Sequence, residues 1–388
     1  MVSPGSSLLS TGAFRMPKSF DVFASARTYP VSVGSNLLAQ TIEENSNAIF
    51  IVDRILESRL PASITKRIIV EAIEANKSLE YMPTIIQALR KLSADRATNL
   101  VAIGGGIIQD ITTFVASIYM RGVTWTYMPT TLLSMVDSCI GGKSSINVSG
   151  YKNLVGNFYP PRTVFVDTSF VETLDAEMVV GGLFEAAKIC YARNYTQFEK
   201  YLAEEPTYPL RPDRAERVIV QSLETKKWFI ETDEFDQKER LLLNFGHTFG
   251  HAMEAASDFR ISHGIGVGLG MLVSIEYAKH DRQLTAIGLD RIAYLKAHIK
   301  DLLRAAAYCD QENLPIIDLS LVMGKFDHDK KHGAKSYCLI IPSGDGELEL
   351  TSVPKDDRTR RHVVAAYERA LGDVSLAFSS SKSGSLNA

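Results

Sequence analysis

Hydrophobic and polar positions follow two different rhythms along the chain. In the first, short apolar runs of strand length are separated by segments with an apolar stripe of helical period, such as SLEYMPTIIQALRKL. The runs are NAIFIVD (47–53), KRIIVEAIEA (66–75), NLVAIGGG (99–106), TWTYMP (124–129) and TVFVD (163–167). Such alternation is typical of parallel strands joined by helices. Residues 20–36 add short β segments with a turn at Pro30, so we predict an α/β domain with a parallel sheet over residues 21–174.

In the second rhythm the apolar period is mainly that of α-helices, which predicts a mostly helical domain over residues 175–372. Within it, residues 336–353 predict a hairpin, and residues 355–371 predict the last helix. The Ser-rich tail, residues 373–388, is predicted to be disordered. Residues 1–20 contain basic residues and Ser but no acidic residue, as organelle transit peptides do; we favour a flexible head.

Composition excludes several classes of function. The 388 residues are enough for two domains, and 45% hydrophobic with 22% charged residues is ordinary for a globular protein. The net charge of −3 gives no basic field for nucleic acid or an anionic membrane, so any phosphate binding must be local. No apolar run reaches the roughly 18 residues of a membrane span. The four cysteines are widely spaced without a CxxC pair, which argues against disulfides and predicts a cytoplasmic location.

Three glycines, Gly104, Gly105 and Gly106, end one predicted strand and open a predicted helix. Glycine lets the backbone approach a dinucleotide pyrophosphate, and the helix N-terminus offers unpaired N–H groups to it. Asp110 lies in the first helical turn. The spacing is not GxGxxG, so a plain tight turn remains the alternative to a dinucleotide site.

A dense polar segment, TTLLSMVDSCIGGKSSINVSGYKNLVGNFYPP, follows the strand at 124–129. Its glycines and prolines predict loops and short turns. They carry Thr130, Thr131, Asp137, Lys143, Asn147, Lys152 and Asn153. A solvated surface would explain scattered lysines, but these are set among apolar residues, which favours an anion-binding pocket.

The most distinctive stretch runs from Arg240 to Met271 and carries three of the eight histidines. His247 and His251 are four apart in a helical pattern, so both imidazoles leave the same helix face. A chain reversal would bring His263 back beside them. Three histidines with a carboxylate nearby form the ligand set of a catalytic zinc, which keeps one position open. A pair on a solvent-exposed helix face is the alternative, but the small and apolar neighbours favour a buried metal site.

Glu185 and Lys188 are three apart on one face of a further predicted helix, DAEMVVGGLFEAAKICYARN. A local ion pair or solvent exposure would explain them. Because Glu185 lies in an Ala- and Gly-rich segment that can pack closely, it is the candidate for the missing metal carboxylate.

Taken together, these segments resemble 3-dehydroquinate synthase and its sugar phosphate cyclase relatives. The matching segments are GGGIIQD, YMRG, MPTTLLSMVDSCIGGKSSIN, KNLVGNFYPP, the helix of Glu185 and Lys188, LLNFGHTFGHAMEA and SHG. They keep their order between about residues 74 and 332. The resemblance implies an N-terminal NAD-binding α/β domain, a C-terminal, mainly α-helical metal- and substrate-binding domain, and a homodimer.

The resemblance also implies roles for individual residues. Zinc or cobalt would be bound by Glu185, His247 and His263. NAD would be contacted by Asp53, Glu74, Lys77, Gly105, Gly106, Asp110, Thr130, Thr131, Asp137 and Thr173. Phosphate and substrate would be held by Arg121, Lys143, Lys152, Asn153, Lys188, Lys226, Arg240, Asn244 and one lysine of the DKK segment, Lys330 or Lys331. The catalytic groups would be His251, Lys143, Asn244, Lys188 and Arg240.

The implied chemistry explains this inventory. In the family, NAD transiently oxidises a ring hydroxyl, which acidifies the neighbouring C–H so that phosphate can leave. The hydride then returns, the ring opens, and an intramolecular aldol reaction closes a carbocycle. The metal acts as a Lewis acid on substrate hydroxyls. His251, Lys143 and Asn244 would steady oxyanions and relay protons.

The substrate is less well defined by the sequence. Lys226, Arg240 and Asn244 favour a carboxylate-bearing seven-carbon sugar phosphate, and hence 3-dehydroquinate formation. Three segments depart from the usual pattern of that enzyme: Gly264–Ile265–Gly266 in place of Gly-Glu-Ala, Ser144–Ser145 in place of Thr-Gly, and GGLFEAAK in place of GLAEVIK. These changes keep open a sedoheptulose 7-phosphate cyclase of secondary metabolism.

Two other classes of protein share part of this pattern. Iron- or zinc-dependent alcohol dehydrogenases share the two-domain layout, NAD and a His-rich metal site, but they do not need this set of lysines. A non-catalytic binding relative would be expected to have lost metal ligands, whereas Glu185 and His263 are both present.

Overall fold

The computed structural model describes residues 16–281, 283–306, 317–329 and 331–382. The strands, in chain order, are β1 (Lys18–Phe23), β2 (Thr28–Gly34), β3 (Ile49–Asp53), β4 (Arg67–Val70), β5 (Asn99–Gly104), β6 (Thr124–Pro129), β7 (Ile146–Val148), β8 (Tyr151–Val155), β9 (Thr163–Asp167), β10 (Ser336–Ser343) and β11 (Glu347–Pro354). The helices are α1 (Leu38–Glu44), α2 (Met82–Lys91), α3 (Gly106–Ile118), α4 (Ala176–Arg193), α5 (Tyr195–Ala203), α6 (Pro212–Thr232), α7 (His247–Ala256), α8 (His263–Asp281), α9 (Ala286–Ala305), α10 (Leu319–Asp327) and α11 (Asp357–Lys382).

A seven-stranded sheet in the order β1-β2-β9-β6-β5-β3-β4 organises the N-terminal part. All neighbours pair in parallel except β1 and β2, which form an antiparallel hairpin at one edge. The central strands are almost wholly buried because most of their residues are aliphatic or aromatic and helices pack on their faces. Parallel pairing places the carboxyl ends of β3, β5, β6 and β9 along one edge of the sheet, where ligands bind in open α/β folds.

Helix α4 is the central element of the C-terminal part. Asp175 begins it by accepting a hydrogen bond from the backbone N–H of Met178 at 2.8 Å. The helix is buried on nearly all sides, and it packs against α8 where Gly181 faces Gly264. A Cβ on Gly264 would lie 2.4 Å from the Cα of Gly181, so the close approach of α4 and α8 requires glycine.

The predicted fold class is confirmed, and the structure differs from the predicted elements in four places. The turn predicted at Pro30 is wrong, because Pro30 lies inside strand β2, where it is paired with Asp21 of β1, and the chain reverses before Thr28. Residues 146–155, predicted as loops and short turns, form the β7–β8 hairpin. Helix α11 continues to Lys382, beyond the predicted end at 371 and into the predicted disordered tail. Strand β1 begins at Lys18, within the predicted head. Residues 1–15 and 383–388 lie outside the described part, and the domain boundaries remain predictions.

Candidate active site

The glycine turn after β5 forms an open cradle at the carboxyl edge of the sheet. Gly105 precedes α3, and no side chain of the described residues caps this 13-residue helix, so its first N–H groups are available to a ligand. A Cβ on Gly105 would lie 2.9 Å from Cγ2 of Thr131, whereas one on Gly106 would meet no atom within 4 Å. The space beside Gly106 and the helix N-terminus can accommodate a dinucleotide pyrophosphate.

Other predicted NAD contacts lie along the same edge. Asp53 ends β3, is 8% exposed, and accepts a hydrogen bond from the backbone N–H of Ile55 at 3.3 Å. Burial raises the pKa of this carboxyl. Thr130 and Thr131 follow β6, and Thr173 ends the 3-10 turn after β9. These side chains therefore border one sheet edge although they are far apart in sequence.

A charged cluster ties the β7–β8 hairpin to the start of α3. The Lys77 ammonium lies 3.2 Å from Oδ2 of Asp110 and donates a hydrogen bond to Oδ1 of Asn153 at 2.9 Å. Glu74 accepts a hydrogen bond from Asn147 at 2.8 Å. Burial raises the pKa of Asp110 to about 6, although Lys77 acts in the opposite direction. The predicted contacts Glu74, Lys77, Asp110 and Asn153 are thus brought together.

A cavity of about 260 Å³ lies beside this cluster, between the sheet edge and the helices of the C-terminal part. It is lined by Gly106, Gln109, Asp110, Asp137, Ser138, Ile140, Lys143, Ser144, Ser145, Lys188, Lys226, Asp236, Arg240, Leu243, Asn244 and His247. Four basic side chains and three carboxylates face this space. Of the residues predicted to form an anion-binding pocket, Asp137 and Lys143 line this cavity.

Asp137 connects two of these cations. It lies in a π-helical turn (Ser134–Ser138), 3.4 Å from the Lys188 ammonium and in contact with the Lys226 ammonium. Burial alone would raise the pKa of Asp137, but the two ammonium groups outweigh it and hold the pKa well below its usual range. Lys226 also donates to the backbone carbonyl of Ile140 at 3.2 Å. Asp137 therefore stays ionised and orients both lysines.

Lys143 and Arg240 form a second cationic pair. Burial, assisted by Arg240, lowers the pKa of Lys143 to about 8, although its ammonium lies 2.6 Å from Oδ2 of Asp236. Arg240 is 2% exposed, and its guanidinium lies against Gly141, which has φ +99°. The positive φ favours glycine at this position, and a Cβ on Gly141 would lie 2.3 Å from Nη2 of Arg240, so a larger residue would displace the guanidinium.

Three imidazoles and one carboxylate converge around His247, which lines the cavity. His247 begins α7, His251 follows one turn later, and His263 begins α8. One ring nitrogen of each histidine lies within 4.8 Å of the corresponding nitrogens of the other two. Oε1 of Glu185 lies 3.2 Å from Nε2 of His263 and 3.8 Å from Nε2 of His247. Its other oxygen accepts a hydrogen bond from Lys188.

This arrangement fits a divalent metal. Ligand atoms about 2.1 Å from one tetrahedral ion lie about 3.4 Å apart, close to the two separations from Glu185. Burial, with help from Lys188, keeps the pKa of His247 well below its usual range, so its ring is neutral and able to ligate. Burial opposes protonation of His263, but Glu185 and Glu254 outweigh it and raise its pKa to about 10. The site thus favours a bound cation at the position surrounded by Glu185, His247 and His263.

The remaining predicted residues are distributed as follows. Asn244 lines the cavity and donates to the backbone carbonyl of Leu241 at 3.1 Å. Lys331 is close enough to His247 to lower its pKa, whereas Lys330 lies outside the described residues. The Lys152 ammonium lies 3.2 Å from the ring centroid of Phe259, on the C-terminal part.

Arg121 is not placed at this cavity. It is exposed and follows the C-terminal end of α3, about 20 Å of helix rise from Gly106. A contact with substrate in the cavity of its own chain is therefore not supported by its position.

Sequence reasoning missed two acidic side chains that hold predicted site residues. Asp236, which pairs with Lys143, lies in a turn with φ +62°, and no periodicity marks it. Glu254, whose Oε1 lies 3.2 Å from Nδ1 of His263, is seven residues after His247 on the same helix. Its helical spacing from His247 and His251 was a signal that could have identified it.

Solved structures that resemble this chain define its fold class. A 2-deoxy-scyllo-inosose synthase complexed with carbaglucose-6-phosphate, NAD+ and Co2+ matches with a TM-score of 0.76 and 22% identity, covering 91% of this chain and 99% of that chain. A 2-epi-5-epi-valiolone synthase from Streptomyces hygroscopicus, with NAD+ and Zn2+ bound, matches with a TM-score of 0.73 and 23% identity, covering 89% and 97%. The chain has the dehydroquinate synthase-like fold.

Comparison of the sequence with protein families identifies the family to which the chain belongs. The model of the 3-dehydroquinate synthase N-terminal region matches residues 67–180, and that of the C-terminal region matches residues 182–332. The 3-dehydroquinate synthase of Dictyoglomus turgidum is 36% identical over 335 residues, covering 84% of this chain and 91% of the relative. The chain belongs to the 3-dehydroquinate synthase family, and the predicted enzyme class is confirmed. Within the described residues, no helix has both the length and the apolarity to cross a bilayer.

Proposed function

We propose that the protein is an NAD- and metal-dependent sugar phosphate cyclase that converts 3-deoxy-arabino-heptulosonate 7-phosphate to 3-dehydroquinate and phosphate. The observation that carries this proposal is the cavity in which Lys143, Lys226 and Arg240 lie beside the group of Glu185, His247 and His263. A carboxylated phosphate ester needs such a concentration of cations, and an ordinary alcohol substrate does not.

The two cofactors would occupy the places described above. NAD would lie along the sheet edge with its pyrophosphate at Gly105 and Gly106, and the metal would be held by Glu185, His247 and His263. Bound there, NAD supplies a reversible hydride acceptor and the metal supplies a Lewis acid for substrate hydroxyls. Zinc and cobalt both suit this ligand set.

The protein side chains would bind, orient and move protons. Arg240 and Lys226 are the groups we assign to the substrate carboxylate, since both are buried cations on one side of the cavity. Lys152 and Asn153 of the β7–β8 hairpin are assigned to the phosphate. His251, one helical turn from His247, would relay protons, while Asn244 and Lys143 would donate hydrogen bonds to developing oxyanions.

The assembly is proposed to be a homodimer. Arg121 is exposed and does not line the cavity of its own chain, so a role in substrate binding requires that a second copy present it. The three described cysteines are unpaired, which supports the proposed cytoplasmic location.

The test is phosphate release from purified protein with NAD and zinc, offered the heptulosonate phosphate, sedoheptulose 7-phosphate and glucose 6-phosphate separately. Release from the heptulosonate phosphate supports the proposal. Release only from sedoheptulose 7-phosphate would identify a valiolone-type cyclase, and accumulation of NADH without phosphate would identify a dehydrogenase. Either outcome would overturn the proposed substrate.

A further inference from the structure

Glu254 stands on the side of His263 that faces away from Glu185. Its Oε1 lies 3.2 Å from Nδ1 of His263, while Nε2 of the same ring lies 3.2 Å from Oε1 of Glu185. One imidazole therefore has a carboxylate at each nitrogen. Only Nε2 points to the place shared with His247, so Glu254 is not placed to ligate the same ion.

We infer that Glu254 is a positioning residue, which holds the proton of His263 on Nδ1 and leaves Nε2 free to bind the metal. A histidine ligand with a carboxylate on its other nitrogen has a fixed tautomer and ring orientation, and it is a more basic ligand. This inference rests on the metal site of the proposed function and adds a residue to it.

The surroundings of Glu254 show that this carboxylate is held in place. The side chain is on α7, in the same helix as His247 and His251, and the residue is only 8% exposed. Across from it, Gly266 of α8 provides the space that it needs, since a Cβ there would lie 2.8 Å from Oε1 of Glu254. A buried carboxylate in this confined position costs desolvation free energy unless it has a partner, and the His263 ring is that partner.

The contacts of Glu254 also argue against a purely structural role for this residue. An acidic residue that only connected α7 to α8 could contact any polar group of α8. Glu254 instead contacts a side chain of α8 that also faces Glu185, and His263 is 40% exposed on its side-chain surface, so without Glu254 only the contact at Nε2 would limit rotation of the ring. The carboxylate restricts that rotation.

Metal affinity tests the inference directly, without reference to turnover. The dissociation constants of Zn2+ and Co2+ would be measured by competition with a chromophoric chelator for the wild type, Glu254→Gln and Glu254→Ala. We expect affinity to fall roughly 10- to 100-fold in Glu254→Ala. In Glu254→Gln we expect a smaller loss, because the amide oxygen can still accept a hydrogen bond from Nδ1.

A matched control separates orientation from helix packing. Glu276 is also a buried glutamate of the α7–α8 region, on the same helix as His263, but it pairs with Lys279 and Lys296. Glu276→Gln should leave the dissociation constants unchanged. The visible absorption of the Co2+ form provides a second measurement, and we expect its band positions to change in the Glu254 variants only, since they report ligand geometry.

The outcomes distinguish this inference from the proposed function. If the wild type binds neither ion more tightly than a Glu185→Ala variant does, the metal site itself is wrong. If the wild type binds and both Glu254 variants bind equally well with an unchanged Co2+ spectrum, the metal site stands and the role of Glu254 is overturned. An equal loss in Glu276→Gln would also overturn it, because the effect would then be one of packing.

Discussion

The Lys143 ammonium lies 2.6 Å from Oδ2 of Asp236, and this contact joins the glycine loop after the π-helical turn to the turn that precedes Arg240. The lysine comes from the sheet-forming part of the chain and the aspartate from the helical part. The carboxylate of Asp236 places a negative charge beside Lys143, where an oxyanion of the bound substrate would otherwise accept its hydrogen bond. Substrate and Asp236 would therefore compete for the same cation.

The first prediction concerns pH. Burial and Arg240 lower the pKa of Lys143 to about 8, and Asp236 acts in the opposite direction. Since the charged form binds the anionic substrate, kcat/KM should fall as the pH rises through about 8. Asp236→Asn removes a group that raises this pKa, so the falling limb should move to lower pH. Phosphate release measured between about pH 6 and 10 would show it.

Asp213→Asn is the control for this shift, because Asp213 is an acidic residue of α6 that pairs with Arg211 and Arg217 at the surface. It should leave the profile unchanged. Superimposable profiles for Asp236→Asn and the wild type would contradict the assigned role of Lys143.

The second prediction concerns the contact of the Arg240 guanidinium with Gly141. Gly141→Ala would place a methyl group 2.3 Å from Nη2 of Arg240 at a residue with φ +99°. We expect a loss of about 2 kcal/mol in the free energy of unfolding and a raised KM, because both the backbone and the guanidinium must move. Denaturant unfolding and phosphate-release kinetics would measure the two effects.

Gly150→Ala is the matched control for the stability effect. Gly150 has φ +83°, but a Cβ there would meet no atom within 4 Å. Gly150→Ala should lose only the free energy that a positive φ costs an alanine backbone. Its free energy of unfolding should therefore fall by less than that of Gly141→Ala. Equal losses in the two variants would mean that the contact with Arg240 contributes nothing.

The third prediction concerns Asp137, which neutralises two buried ammonium groups. Asp137→Asn leaves Lys188 and Lys226 without this charge, and we expect a loss of about 3 kcal/mol in the free energy of unfolding at neutral pH. Because the folded pKa of Asp137 is depressed, its stabilisation is present above about pH 4 and is lost as the pH falls below that value.

Urea unfolding at pH 7 and at lower pH would test this pH dependence. The difference in free energy of unfolding between wild type and Asp137→Asn should narrow as the solution becomes more acidic. A difference that stays constant, or widens, would contradict the ionised state of Asp137 in the folded protein.

The fourth prediction concerns Arg121. If a second copy presents this residue, an Arg121→Ala chain keeps an intact cavity, and a Lys143→Ala chain keeps an intact Arg121. Mixed dimers of the two inactive variants should regain about a quarter of wild-type activity after subunit exchange, because half of the dimers then hold one complete site. A mixture no more active than its two components would contradict this arrangement.

Much of the fold followed from the sequence because its apolar runs have clear periods. The runs at 47–53, 99–106 and 124–129 became the adjacent buried strands β3, β5 and β6. The β7–β8 hairpin was missed, since most of its residues are polar and exposed and its register depends on contacts such as that of Asn147 with Glu74. Local pattern carries no information on such distant partners.

The candidate site was predictable to a similar degree. Spacing placed His247 and His251 on one helix face, and the structure brings the two further predicted residues, His263 and Glu185, to the same group. The position of Asp236 could not be predicted, because a turn residue with positive φ reaches Lys143 only through the tertiary fold. Arg121 shows the opposite case, in which a matching motif did not place the residue at the cavity.

Cyclase chemistry is tested most directly by the ratio of phosphate released to NADH formed when NAD is present well below the substrate concentration. We expect many equivalents of phosphate per NAD from the heptulosonate phosphate, with absorbance at about 340 nm returning to its starting value, because the hydride is returned to the substrate within each turnover. Phosphate release that stops after one equivalent per NAD, or NADH that accumulates in step with turnover, would contradict it.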